Sequence, residues 1–355
     1  MEQNARIRAA WQGRISGCQL GKAVEALSLH RGWAALERYL RAAGAWPLRG
    51  YAPYRDDELV AATGRRSCAD QLCRSEADDD INYTVLALLL LEQHGRALTT
   101  EDVARAWLRY LPGGATFTAE RAAYRILLTR AADGFPFGWP AGFDLGECSN
   151  HPWSDWIGAQ IRADLYGWAC PGRPAFAAEL ASRDAALSHR GEGVNGARFV
   201  AALGAAIPLA PTLDAAVAIA AEHIAPDSAV NAAVAFACAQ AGKPDAVSCI
   251  RTRYGDLPPA HTVNNLALVV WALLSHRDDF SAAIGEVVAA GWDTDCNGAT
   301  VGGLWGLQGK PIPAHWLAPW NGRVAVDLAG VGELALEDLV ERTMKVAERL
   351  GATDQ

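Results

Sequence analysis

The sequence has no hydrophobic run long enough to cross a membrane. Its longest apolar run, residues 85–91, is far shorter than the roughly 20 residues that a membrane helix requires. Residues 1–11 are charged and polar, and they lack the apolar core of a signal peptide. We therefore expect a soluble, cytoplasmic protein without a membrane partner.

Runs of positive charge are missing as well. Lys and Arg number 32 against 40 Asp and Glu, which gives a formal net charge of −8. A surface that binds DNA or RNA normally clusters Lys and Arg on one face. The composition therefore argues against a nucleic-acid partner.

Closely spaced cysteine pairs are absent. The chain contains eight cysteines, and none of them forms a C-x-x-C motif. This pattern excludes the usual zinc-finger and thioredoxin-like motifs. Several of the cysteines lie in alanine-rich segments and are expected to be small buried side chains in a reducing compartment.

Segments typical of β-strands or of flexible linkers are also lacking. Alanine is abundant and β-branched runs are few, which favours helices. With 355 residues and 51% hydrophobic content, the chain can form one large core. We predict an all-α fold with a single compact domain over residues 1–355, in which residues 310–355 wrap back and end in a final helix. Other predicted helices include residues 153–168 and residues 298–308.

Two acidic clusters lie far apart in the chain. Asp293 and Asp295 stand two residues apart before a run of small residues, and residues 78–80 are three aspartates that precede the apolar residues 81–91. Carboxylates at this spacing can face one hard cation, so the clusters could form a site for Mg²⁺ or Mn²⁺. Residues 78–80 have a second interpretation, as a solvated helix start that the helix dipole favours.

Two glycine-containing segments could add to such a site. Residues 17–25 place Gly17 and Gly21 four apart and end at Glu25, which is either part of the site or an ordinary exposed charge. Residues 188–197 precede an alanine-rich helix, and backbone N–H groups at such a junction can bind phosphate or carboxylate. His189 within this segment is either a ligand contact or a structural residue.

These motifs, in this order, resemble those of the ADP-ribosylglycohydrolase superfamily. The resemblance extends over about residues 10–310. The superfamily includes dinitrogenase-reductase-activating glycohydrolase, the ADP-ribosyl-arginine hydrolases and a divergent bacterial branch. Residues 17–25 resemble the motif Gly-Asp-Ala-x-Gly-x-x-x-Glu, residues 78–80 the motif Thr/Ser-Asp-Asp, residues 188–197 the middle substrate loop, and residues 291–303 the motif Gly-x-Asp-Thr-Asp-Thr.

The resemblance implies a helical domain whose cleft holds two Mg²⁺ or Mn²⁺ ions. The metal ligands that it implies are Asp78, Asp79, Asp80, Asp293, Asp295 and Cys296. The substrate-binding residues that it implies are Ser188, His189, Gly193, Val194, Asn195 and Gly196. The catalytic residues that it implies are Glu25, Asp79, Asp80 and Asp295, with Glu25 or one of the aspartates as general acid and base.

The chain departs from the family pattern at three positions. Cys18 stands where the family usually has an aspartate, and Asp78 stands in the place of the Thr or Ser. Cys296 replaces a threonine, and a thiol is a poor ligand for a hard cation. These departures leave the identity of the substrate open.

The expected reaction is metal-dependent cleavage of an N- or O-ribosyl bond. The first hypothesis is removal of ADP-ribose from a modified protein side chain or a small acceptor. Breaking such a bond builds positive charge on the ribose, and two metals can hold the ribose hydroxyls and activate a water. The second hypothesis is an N-ribosyl hydrolase that acts on a nucleoside- or nucleotide-like metabolite. The third is a non-catalytic relative that binds ADP-ribose.

Overall fold

A computed structural model describes residues 2–352, and almost all of its regular secondary structure is helical. The α-helices, numbered α1 to α17 in chain order, are Glu2–Lys22, Glu25–Arg31, Trp33–Ala42, Asp79–His94, Thr100–Tyr110, Thr118–Arg130, Asp164–Trp168, Pro174–Ala185, Gly191–Ala206, Leu213–Ala221, Ala229–Gln240, Ala246–Tyr254, Thr262–Ser275, Phe280–Ala289, Thr294–Gly306, Ala314–Leu317 and Leu336–Gly351. Two short strands, β1 (Arg323–Val324) and β2 (Leu334–Ala335), pair antiparallel. The predicted all-α class is confirmed.

Helix α13 lies at the centre of the core. Every residue from 262 to 274 is buried, and the helix packs against α11, α12, α14 and α15. Burial on all sides requires a helix that is apolar around its whole circumference, and the sequence of α13 meets this condition with only a few polar residues near its start. Among residues 2–352, none of the helices combines the length and apolar character that crossing a membrane requires.

Helices α1 and α15 pack antiparallel at unusually short range. A Cβ atom added at Gly13 would lie 2.0 Å from the carbonyl oxygen of Gly302, and one added at Gly17 would lie 1.9 Å from that of Gly298. Only glycine leaves room for two backbones to approach so closely. The contact continues to Gly21, so it places the end of α1 beside the start of α15.

Two predicted helices differ from the observed ones. Residues 153–168 do not form one helix, because a 3₁₀ segment, Ile157–Arg162, precedes α7. The N–H of Ile157 donates to the carbonyl of Ala260, so this backbone pairs with the segment before α13 instead of with itself. The predicted helix 298–308 begins one turn earlier, as α15, because the glycine contact with α1 extends to its first residues.

The C-terminal helix α17 packs back on the start of the chain. The indole N–H of Trp11 in α1 donates to Thr343 Oγ1 at 3.0 Å, and both residues are buried. α17 also contacts α4. The predicted domain range includes Met1 and residues 353–355, which lie outside the described residues.

Candidate metal centre

The acidic residues lie at the N-terminal ends of two helices. Asp78 is the N-cap of α4, and its Oδ1 accepts a hydrogen bond from the N–H of Asp80 at 3.0 Å. Asp293 is the N-cap of α15, but its side chain makes no capping hydrogen bond. Both helix dipoles therefore favour negative charge at the same place.

A left-handed turn sets the direction of the second cluster. Gly291 has φ 83° and Trp292 has φ 61°, an unusual value for a residue with a side chain. Ser28 Oγ donates to the carbonyl of Trp292 at 2.8 Å, and the side-chain oxygen of Asn265 accepts from the N–H of Asp293 at 3.2 Å. These contacts hold the backbone in a strained conformation, which is a common feature of functional sites.

The structure brings the carboxylates of both clusters and of the first motif together. One oxygen each of Asp78, Asp79, Asp80 and Asp295 lie within 4.8 Å of one another, and so do oxygens of Glu25, Asp293 and Asp295. Asp295 belongs to both groups and joins them. Asp78 and Asp80 are buried and Asp79 is half-buried, so the alternative of a solvated helix start for residues 78–80 is wrong.

Three buried carboxylate oxygens in this cluster have no hydrogen-bond partner among the described residues: Asp80 Oδ2, Asp293 Oδ1 and Asp295 Oδ1. The residues that carry them are at most 5% exposed. Leaving a charged oxygen buried and unpaired is costly, so such groups normally coordinate a cation. Carboxylate oxygens are the ligands that Mg²⁺ and Mn²⁺ prefer, and the donor set therefore fits a hard divalent cation.

The pKa values of the cluster reflect the same crowding. Four carboxyl groups have a pKa well above the ordinary range: Glu25, Asp79, Asp80 and Asp293. Burial is the largest cause in each case, and neighbouring carboxylates add to it in each. The pKa of Asp295 is raised to about 6, first by burial and then by the charge of Asp78. These carboxyl groups therefore keep their protons to a higher pH than ordinary carboxyl groups do, unless a cation replaces the protons.

Comparisons with known proteins give the family and the fold of the chain. The sequence profile of the ADP-ribosylglycohydrolase family matches residues 1–350. The chain belongs to the ADP-ribosylglycohydrolase family. A solved structure described as an "ADP-ribosylglycohydrolase-related protein complex" has the same fold, with a TM-score of 0.62, 19% sequence identity and 99% coverage of both chains. No curated protein sequence matches the chain. Membership in the ADP-ribosylglycohydrolase family supports an enzyme of the glycosyl hydrolase type.

Arg14, on α1, is a buried neighbour of the carboxylate cluster that the sequence did not reveal. Its guanidinium donates to Asp80 Oδ1 at 3.0 Å and to Asp164 Oδ2 at 2.8 Å, and the side chains of all three residues are fully buried. Burial raises the pKa of Asp164 to about 6, although Arg14 opposes this. Arg14 therefore fixes one oxygen of Asp80 and leaves the other facing the cluster.

Lys22 is the second residue that was missed. Its Nζ lies 2.6 Å from Asp78 Oδ2. Burial alone would raise the pKa of Asp78, but the ammonium of Lys22 and the hydrogen bonds to the carboxylate outweigh it and hold the pKa below its ordinary value. Arg14, Cys18 and Lys22 follow one another at helical spacing on one face of α1, and this spacing is the signal that could have identified them.

The two cysteines that depart from the family pattern both lie at the cluster. The sulfur of Cys18 lies within 4.8 Å of oxygens of Asp78 and Asp80, and that of Cys296 lies equally close to Asp80 and Asp295. Burial, followed by the nearby carboxylates, raises the pKa of both thiols well above the usual range. Both cysteines therefore stay protonated in the metal-free protein, and a neutral thiol contributes little to binding a hard cation.

The predicted substrate loop lies at the start of α9, and its first side chains are buried. Arg162 donates to Ser188 Oγ at 2.8 Å, and His189 Nε2 lies 3.7 Å from Glu120 Oε1. A buried polar network therefore surrounds Arg162 and includes Ser188, His189 and Glu120. Arg162 also donates to Asp184. The structure does not place the side chains of Ser188 and His189 in the carboxylate cluster.

The later residues of that loop form the first turns of α9. Gly193 and Gly196 are buried, and Val194 and Asn195 are half-buried. A Cβ at Gly193 would lie 2.3 Å from the carbonyl oxygen of Ser154, so this glycine serves packing. Asn195 accepts a hydrogen bond from the N–H of Ala225 at 3.4 Å.

We expect the stabilisation that Mn²⁺ gives the protein to shrink at low pH. The pKa of Asp295 is raised to about 6, so its carboxyl is ionised above that pH and protonated below it. An ion that binds the ionised form must displace this proton, which weakens binding about tenfold per pH unit below the pKa. The difference in melting temperature between Mn²⁺ and EDTA should be larger at about pH 7.5 than at about pH 5.5. Equal differences at both pH values would contradict the assignment.

Proposed function

We propose that this protein is a metal-dependent glycohydrolase that cleaves an N- or O-ribosyl bond and removes ADP-ribose from a modified protein side chain or a small acceptor. The observation that carries this proposal is the set of three buried, unpaired carboxylate oxygens on Asp80, Asp293 and Asp295. Family membership supports the reaction class.

Asp80 and Asp295 in one convergent group, and Asp293 and Asp295 in the other, would hold divalent cations of the Mg²⁺ or Mn²⁺ type. When bound, such an ion polarises the oxygens that it touches and lowers the pKa of bound water. Arg14 donates to Oδ1 of Asp80 and so fixes this side chain. Asn265 accepts from the backbone N–H of Asp293 and fixes that residue in the same way. Ligands that are oriented by further hydrogen bonds bind metals more tightly than free ones.

Glu25 is the candidate general acid and base. It is the first residue of α2 and is half-buried, and one of its oxygens lies within 4.8 Å of oxygens of Asp293 and Asp295. Burial and the charge of Asp295 raise its pKa well above the ordinary range. A carboxyl group with a raised pKa keeps its proton to higher pH, so it can donate the proton to a leaving group and later accept one from water.

The negative charge of the cluster suits the reaction. Cleavage of a ribosyl bond builds positive charge on the sugar in the transition state. Asp79 is the half-buried member of the second motif and is open to a ligand from the solvent side. Carboxylates that are already fixed in place stabilise such a charge without having to reorganise.

Release of free ADP-ribose from ADP-ribosyl-arginine, measured by mass spectrometry, is the first test. We expect release with Mg²⁺ or Mn²⁺ and none with EDTA, because the carboxylates need the ion to hold the substrate. Release that persists in EDTA would contradict the metal assignment. A folded protein that binds ADP-ribose without turnover would indicate the non-catalytic alternative.

One observation favours a second candidate, an N-ribosyl hydrolase of a small nucleoside- or nucleotide-like metabolite. The side chains of Ser188 and His189, expected to contact the diphosphate or adenosine end, are buried in the network around Arg162. A substrate without a diphosphate does not need them. Turnover of a nucleoside in a panel of ribosyl compounds, with none of ADP-ribosyl-arginine, would select this candidate.

A further inference from the structure

Cys296 lies among the carboxylates of the cluster and brings a sulfur to it. Asp80, Asp295 and Cys296 each offer one ligand atom, and these three atoms lie within 4.8 Å of one another. Cys296 is only 6% exposed and stands in the first turn of α15. A thiolate is favoured at the N-terminal end of a helix, where the backbone N–H groups point toward it. The fold therefore presents sulfur beside oxygen to an ion in this group.

Both carboxylates of this group have an oxygen without a partner. Asp80 Oδ2 and Asp295 Oδ1 are buried, and neither has a hydrogen-bond partner within residues 2–352. A buried carboxylate oxygen that is left unpaired is costly, so it normally coordinates a cation. An ion that binds these two oxygens would also meet the sulfur of Cys296.

Another convergent group, which consists of Glu25, Asp293 and Asp295, contains only carboxylates. Ligand sets made of oxygen alone suit Mg²⁺ and Mn²⁺, whereas thiolates select softer ions such as Zn²⁺. Zn²⁺ is also bound by cysteine together with carboxylates. The two groups therefore differ in the ions that they prefer, although they share Asp295.

Cys18 is the other thiol of the cluster, but its carboxylate neighbours are less free. Its sulfur converges with oxygens of Asp78 and Asp80. Asp78 Oδ2 lies 2.6 Å from the Nζ of Lys22, and Asp78 Oδ1 accepts from the N–H of Asp80 at 3.0 Å. Both oxygens of Asp78 are thus engaged within the protein. The group that contains Cys296 is therefore the stronger candidate for a site that uses sulfur.

We propose that the group of Asp80, Asp295 and Cys296 binds a divalent ion of the Zn²⁺ class through the sulfur of Cys296, beside an oxygen-only group that suits Mg²⁺ or Mn²⁺. Binding forms a metal–sulfur bond and breaks the S–H bond of the thiol, whose proton passes to the solvent. This inference rests on the metal centre of the proposed function and changes the ion that one of its groups prefers. It gives a chemical role to the cysteine that replaces the threonine of the family pattern.

Absorption spectroscopy with Co²⁺ tests the proposal without any assay of turnover. Co²⁺ replaces Zn²⁺ in proteins, and a Co²⁺–thiolate bond gives a near-ultraviolet band that Co²⁺ bound to oxygen alone lacks. Full-length protein is titrated with Co²⁺ without added thiols, and we expect the wild type to show this band. Cys296→Thr offers an oxygen in the same place and should lose the band. It should also bind Zn²⁺ more than about tenfold less tightly, while its affinity for Mn²⁺ is kept or raised.

The matched control is Cys238→Ser, which removes an exposed thiol on α11 and should keep the band. A wild type that binds Mn²⁺ but shows no thiolate band with Co²⁺ would overturn the proposal and leave the metal centre intact. This result does not depend on the folding of any variant. A band that survives in folded Cys296→Thr would overturn the proposal too, because it would come from another thiol. A wild type that binds neither Mn²⁺ nor Co²⁺ would remove the metal centre itself, and the proposal with it.

Discussion

We expect Asp295→Asn to abolish turnover and also to remove the stabilisation by Mn²⁺. Asp295 lies in both groups of convergent carboxylates, and its Oδ1 is buried without a partner. Residues that merely orient metal ligands contribute about 10- to 100-fold to affinity or activity, so loss of a direct ligand should cost more than about 100-fold. The measurement is the initial rate of ribosyl-bond cleavage at saturating Mn²⁺.

The same variant should keep, or even raise, the stability of the metal-free protein. Asparagine has nearly the shape of aspartate but removes a buried negative charge that faces Asp78 and Asp293. We therefore expect a melting temperature in EDTA at or above that of the wild type. Asp214→Ala, which removes an exposed carboxylate paired with Arg277, is the control and should keep full activity. Full activity in Asp295→Asn would refute the assignment of the site.

Gly17→Ala should cause the largest loss of stability of any single methyl addition in α1. The new Cβ would lie 1.9 Å from the carbonyl oxygen of Gly298, which is backbone and cannot rotate away. Overpacking of a core costs about 1–3 kcal/mol and sometimes more, and separating two long helices belongs at the upper end. Chemical denaturation followed by circular dichroism gives the free energy of unfolding.

A matched variant isolates the effect of the close helix contact. A Cβ added at Gly114 would have no atom of another part of the chain within 4 Å, so Gly114→Ala adds the same methyl group into open space. We expect it to be neutral within about 0.5 kcal/mol. Gly17→Ala should also weaken Mn²⁺ binding, because the start of α15 moves with the helix. Equal free energies of unfolding for the two variants would show that α1 and α15 do not depend on this contact.

Helix starts are features that local signals in a sequence can identify. Asp78 caps α4, Thr99 forms a capping box with Asp102 before α5, and Thr212 and Ser228 cap α10 and α11. Each of these signals acts over only a few residues, so the chain shows them without knowledge of the fold. The family motifs added the expectation that Glu25 and the two acidic clusters meet.

Features that depend on distant partners escaped prediction. Residues 153–168 have a helical pattern, but their backbone bonds to the segment before α13. Lys22 at the end of α1 pairs with Asp78 at the start of α4, and the sequence around either residue alone does not predict this contact. Burial of Ser188 and His189 follows from Arg162, whose role is visible only once Glu120 and Asp184 surround it.

The contact between α1 and α15 also has a consequence for the order of folding. Thr294 Oγ1 donates to the carbonyl of Gly21 at a sequence separation of 273, so forming this contact costs a large loop-closure entropy. During synthesis, Arg14 and Lys22 leave the ribosome long before Asp293 and Asp295 exist. A nascent chain therefore carries only the first half of the carboxylate cluster. Cation binding becomes possible only when α1 and α15 have met, so it reports that this contact has formed.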